Sequence, residues 1–121
     1  MKTLVQTILM IVASSAAYSQ DINGQWKGSL SVQGTELRIV FHVSKVKGEY
    51  KATMDSPDQK ASDIPVTGIN FNYPNVKIEI AAIGAMYEGA LSGKIIKGKW
   101  NQAGQSFELV LSNSEEIPNG K

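Results

Sequence analysis

Cysteine is absent from all 121 residues, and histidine occurs once, as His42. Without thiols there can be no disulfide, no thiolate nucleophile and no cysteine-bound zinc. Beyond the N-terminus, no apolar run reaches the roughly 20 residues that a membrane-spanning helix needs. No serine sits in a Gly-x-Ser-x-Gly elbow, and Gly104-Gln105-Ser106 lacks both the second glycine and a following helix pattern. Gly84-Ala85-Met86-Tyr87-Glu88-Gly89 is rich in glycine but has no lysine or hydroxyl where a phosphate loop requires them. Excess charge is missing too, with 12 basic against 11 acidic side chains. These absences argue against thiol, serine-hydrolase and phosphate-loop chemistry, and no cofactor or metal is expected.

The N-terminus is the one long apolar stretch. Lys2 supplies a positive charge, Ile8 to Ala13 is continuously apolar, and small residues follow at Ser14, Ser15, Ala16 and Ala17. These are the parts of a secretory signal peptide, with Ala17 and Ser19 as the small-x-small pair and cleavage expected between Ser19 and Gln20. The segment is about half the length of a membrane span. No lipobox cysteine is available for a lipid anchor at this site. The expectation is an exported protein, periplasmic or secreted, of bacterial origin. Loss of Lys2 leaves eleven basic residues against eleven acidic ones. A balanced charge lacks the footprint for nucleic acid or for electrostatic attachment to anionic lipid.

From Gly24 to Leu111 the hydropathy alternates with period two, the signature of strands. Eight apolar faces can be read. They are centred on Trp26–Val32, Leu37–Val43, Tyr50–Met54, Ile64–Tyr73, Val76–Ala82, Ala85–Leu91, Ile96–Trp100 and Phe107–Leu111. The fourth changes phase near Gly68, which predicts a bulge or corner there. Turn signals stand at Gln33–Gly34, Lys47–Gly48, Tyr73–Pro74, Gly93–Lys94 and Ala103–Gly104. Short connections make successive strands antiparallel neighbours. The expected fold is an all-β, eight-stranded, antiparallel up-and-down barrel of lipocalin-like type, with a two-sheet sandwich as the alternative. Gly28, Gly89 and Gly98 lie on apolar faces, where a sharply curved sheet uses glycine to bend and to bring backbones close. The domains read as a signal peptide over 1–19, one β-domain over 20–111 and a polar tail over 112–121.

Few residues offer chemistry. His42 lies on the polar side of its strand with no nucleophile or metal ligand marked beside it, and reads as a surface histidine. The stretch Asp55, Ser56, Pro57, Asp58, Gln59 to Asp63 is polar and aperiodic, and reads as the longest loop and a candidate recognition surface. Its three aspartates lack the spacing and glycine of an EF-hand. Trp26, Phe41, Tyr50, Tyr87 and Trp100 face inward and either line a ligand cavity or fill the barrel.

Two resemblances follow from these residues. Gly24-Gln25-Trp26 resembles the Gly-x-Trp that opens lipocalin-like barrels, where the tryptophan packs across the barrel base. A second spans nearly the whole mature chain: Gly24-Gln-Trp-Lys-Gly28, Leu37-Arg-Ile-Val-Phe-His42, Ala52-Thr-Met-Asp-Ser-Pro-Asp-Gln59, Ile64-Pro-Val66, Tyr87-Glu-Gly-Ala-Leu91, Gly98-Lys-Trp100 and Gly104-Gln-Ser106. Together they resemble the N-terminal β-domain of secreted α/β-hydrolases from Bacteroidetes-type bacteria. The hydrolase domain that follows it in those proteins has no counterpart in these residues, so no catalytic residue carries over. The resemblance implies a non-catalytic accessory or binding domain partnered by an exported hydrolase. The alternative is a carrier of a small apolar ligand.

Overall fold

The structure is a computed structural model that describes residues 21–113. The expected signal peptide, and the expected tail beyond Asn113, lie outside the described residues. Nine strands follow in order: β1 (Gly24–Val32), β2 (Thr35–Val46), β3 (Glu49–Ser56), β4 (Ala61–Pro65), β5 (Gly68–Asn72), β6 (Asn75–Ile80), β7 (Ala85–Ser92), β8 (Ile95–Gln102) and β9 (Gln105–Asn113). They form one continuous antiparallel sheet in the order β4-β3-β2-β1-β9-β8-β7-β6-β5. The sheet curls into a half-barrel open along one seam. It is neither the closed eight-stranded barrel nor the pair of stacked sheets expected from the sequence.

The ninth strand arises at the phase change. The fourth apolar segment divides at Val66–Thr67 into β4, which pairs with β3, and β5, which pairs with β6. Val66 N still donates to Ala52 O at 3.1 Å on one side, while Thr67 N donates to Glu79 O at 2.8 Å on the other. One continuous run of chain thus leaves one sheet edge and joins the opposite one. Two other boundaries differ. Ala82 belongs to a 3-10 turn at Ala81–Ile83 rather than to a strand. Strand β9 also continues through Ser112 and Asn113, where a tail was expected.

Hairpins set the register. Gln33–Gly34, Lys47–Gly48 and Ala103–Gly104 have positive φ at both residues, as two-residue hairpin loops demand. The Val32↔Thr35, Val46↔Glu49 and Gln102↔Gln105 pairs flank them. A one-residue slip would turn every apolar side chain outward, so these turns also decide which residues form the core.

Half of the interior is solid. Ile22, Trp26, Phe41, Val43, Val76, Ile78, Ile96 and Leu111 surround a space too small to admit a water molecule. Ile22 covers this end, buried, and its carbonyl accepts from Trp26 Nε1 at 2.9 Å. Tyr87 is fully buried and its hydroxyl donates to Leu109 O at 2.7 Å, two strands away across β8. Burial pushes that phenol well above its usual pKa.

Strands β7 and β8 approach too closely for side chains at their centre. Gly89 faces Gly98 in the ladder. A Cβ on Gly89 would lie 2.8 Å from Lys97 O, and one on Gly98 would lie 2.6 Å from Gly89 Cα and collide with Glu88 O. Gly28 is likewise closed off by Val110 O. The glycines therefore permit close backbone approach, as the bending interpretation expects. Gly98→Ala is expected to lower the unfolding free energy by about 1–3 kcal/mol, the cost of overpacking. Urea denaturation measures it, and an unchanged midpoint would show that the backbone moves apart freely.

Candidate functional site

At the end opposite Ile22 the half-barrel stays open. Four connections ring this mouth: the hairpins at Gln33–Gly34 and Ala103–Gly104, and 3-10 turns at Pro57–Gln59 and Ala81–Ile83. Both 3-10 turns close with a left-handed residue, Lys60 and Gly84, whose N–H returns to Pro57 O and Ala81 O. Inside the ring is a cavity of about 700 Å³. Its inner wall is buried Leu30, Ile39, Met54 and Trp100, and its rim includes half-buried Val32, Leu37, Ile64 and Phe107. Ligand pockets for small molecules commonly measure about 300–1,000 Å³ and are mostly apolar.

Polar side chains on this wall are few: Ser56, Gln59, Gln102 and Gln105. Ser56, the buried polar side chain of the core with 1 % exposure, donates from Oγ to Gln59 Oε1 at 2.7 Å. Trp100 Nε1 donates to Gln102 Oε1 at 3.0 Å, and Gln102 Nε2 donates to Ile83 O at 2.8 Å. The second pair ties β8 to the 3-10 turn at Ala81–Ile83 and holds the Trp100 ring against the cavity.

The aromatic set divides. Trp100 lines the cavity, whereas Trp26 and Phe41 belong to the packed end and Tyr87 to the buried centre. Tyr50 is half-exposed at the seam between β3 and β5, where its ring meets Phe71 edge to face at 6.2 Å. Its hydroxyl donates to Asp21 Oδ1 at 2.8 Å. The apolar wall of the mouth comes chiefly from aliphatic residues that the aromatic reading did not single out. Their alternation was visible, but which end of each strand stays uncovered depends on tertiary placement.

The expected recognition loop is largely regular structure. Asp55 and Ser56 end β3, Pro57, Asp58 and Gln59 form the 3-10 turn, and Asp63 lies within β4. The Asp58 carboxylate accepts from the Arg38 guanidinium at 2.9 and 3.1 Å and from the Arg38 backbone N–H at 2.8 Å. That N–H lies beyond the last β2–β3 pair, Val40↔Asp55, so Asp58 stands in for a missing strand partner. Asp55 Oδ1 accepts from the N–H of Asp63, whose φ is 56° at an irregularity in the β3–β4 pairing. Ser56, Gln59 and Ala61 border the cavity, Ser56 buried in its wall and exposed Gln59 at its rim. Among the described residues, no three His, Cys, Asp or Glu side chains gather as a metal site would require.

His42 has the partner that the sequence did not mark. Its Nε2 is 2.8 Å from Asp55 Oδ2, and its Nδ1 is 3.4 Å from Gln25 Nε2. A carboxylate only accepts, so the imidazole donates from Nε2 and accepts the Gln25 N–H at Nδ1. Both ring nitrogens are committed, and among the described residues no hydroxyl is hydrogen-bonded to either. The signal was available: counting back from the Lys47–Gly48 turn pairs His42 with Thr53, and Asp55 is the next position on that face.

No family model, curated protein or solved structure matches this chain. Among the described residues, no helix is long and apolar enough to cross a membrane.

The two aspartates are expected to make the fold sensitive to acid. The Asp63 N–H, then His42, holds the Asp55 carboxyl below the usual range. The Arg38 side chain, then its backbone N–H, does the same for Asp58. A lowered folded-state pKa means stabilisation that is complete above the unfolded value, near ~3.9, and is lost as pH falls through the folded value. The Asp55→Asn, Asp58→Asn double variant is therefore expected to be less stable at neutral pH. Its stability should also decline less between about pH 5 and pH 2. Urea midpoints across that range test this, and parallel pH profiles would contradict it.

Proposed function

We propose that this chain is a non-catalytic, exported binding module whose open-end cavity receives a small, mostly apolar molecule. The observation that carries this reading is the asymmetry of the interior. One end is packed so tightly that it excludes water, while the other keeps about 700 Å³ behind an apolar wall. Leaving such a volume unfilled forgoes dispersion contacts throughout the mouth, a sacrifice that a purely structural barrel has no reason to make. On this reading the curled sheet works as a lipocalin-like barrel, with the seam as its unlatched edge. The His42–Asp55 pair fits a structural role, since it ties β2 to β3 with both nitrogens occupied. An accessory role beside an exported hydrolase rests on the sequence resemblance, and periplasmic or secreted placement rests on the N-terminal pattern.

The test uses Nile red, a neutral apolar dye. Saturable binding with one site per chain is expected, accompanied by quenching of Trp100. Ala61, half-buried on the cavity rim, can be enlarged without disturbing the packed end. Ala61→Trp should weaken dye binding by about tenfold or more, equivalent to about 1.4 kcal/mol, with no loss of folded circular dichroism. Absence of saturable binding to the unaltered protein would refute the proposal.

A further inference from the structure

The polar atoms of the cavity wall narrow the chemistry of its occupant. Among the described residues, no Asp, Glu, Lys, Arg or His lines the cavity. The nearest strong cation on β2, Arg38, is already held by both oxygens of Asp58. A carboxylate or an ammonium entering the mouth would give up water without meeting an opposite charge, which is costly. Gln102 has its amide oxygen taken by Trp100 and its nitrogen directed to Ile83 O, and Gln105, exposed on the rim, has no partner among the described residues to orient its amide. Gln59 differs. The buried Ser56 hydroxyl occupies its Oε1, which fixes the orientation of the amide. Its Nε2 keeps two N–H donors that meet no acceptor among the described residues.

Resting on the cavity reading above, we propose that the occupant is uncharged. It has an apolar body that lies against Leu30, Ile39, Met54 and Trp100. It also carries a carbonyl oxygen, as in an ester, ketone or amide, that accepts from Gln59 Nε2 at the rim. Ser56 is the positioning residue: it turns the donor side of Gln59 toward the mouth. The selectivity comes from two sources, a wall without charge and the oriented donor side of Gln59.

Three ligands of equal chain length separate these contributions: methyl decanoate, decanoate and decylammonium, each competing with Nile red at neutral pH. The ester should bind about tenfold or more tightly than either ion, because neither ion finds a counter-charge. Gln59→Glu keeps an acceptor for Ser56 but removes both donors, and should weaken ester binding by about fivefold, the value of one ordinary hydrogen bond. Gln59 is exposed on a surface turn, so folding should be unaffected, and circular dichroism and melting of the variant check this. If decanoate or decylammonium binds as tightly as the ester, or if Gln59→Glu leaves ester affinity unchanged, this inference falls while the cavity reading stands. If neither Nile red nor any of the three binds the unaltered protein, the cavity reading falls and this one with it.

Discussion

Two residues, Val66 and Thr67, hold the curvature of the whole molecule. They link the first and last strands of a nine-strand ladder. Eight antiparallel steps separate those strands, so they run in the same direction, and the chain passes from one to the other without reversing. From Pro65 to Gly68 the chain can reach about 10 Å at most. A flat sheet of nine strands would set its edges about 38 Å apart at ordinary strand spacing. The sheet therefore has to curl until the Val66–Thr67 corner can bridge its two edges, which stay unpaired along the seam. Thr67 secures the meeting point, since its N–H and hydroxyl both donate to Glu79 O and its Oγ1 accepts from Ala81 N.

That curl explains where backbone crowding and hollow space occur. Bending nine strands around one interior compresses the wall where β7 and β8 meet, and Gly89 and Gly98 remove the side chains that would resist. Tyr87 then reaches across to the carbonyl of Leu109, joining three strands through the core. Below this level Ile22 and Trp26 cover the end. Above it the two 3-10 turns swing around the mouth instead of across it, and the space they enclose remains empty of side chains.

The sequence made some of this legible and concealed the rest for physical reasons. Pairs such as Lys47–Gly48 announce their hairpins because few residues tolerate two successive positive φ values. The inward faces followed from alternation, with Tyr73 an exception: it became an exposed turn residue. The phase change near Gly68 revealed a corner. That the corner exchanges one ladder partner for another is a non-local fact that no local pattern encodes. The stretch from Asp55 to Asp63 looked like a loop because a 3-10 turn and a left-handed Asp63 interrupt alternation even where strand pairing persists. Two of its aspartates turned out to be committed, Asp58 to Arg38 and Asp55 to His42 and the Asp63 backbone. Its quieter members, Ser56 and Gln59, reached the cavity. Of the five aromatic candidates, only Trp100 lines that cavity, because strand face and height along the barrel are separate coordinates and periodicity reports only the first.

Because β1 and β9 are neighbours, the chain enters and leaves the domain side by side. Trp26 pairs with Asn113, and Asn113 Nδ2 donates to Asn23 O at 3.2 Å. Both points lie at the packed end, about one strand length from the mouth. The domain is thus built like a cup on a stem. A tether, tag or neighbouring domain fused at either side would emerge from the base and leave the rim facing away from it. The same geometry makes the domain a natural candidate for insertion into a surface loop of another protein, since its two attachment points already sit a loop's width apart.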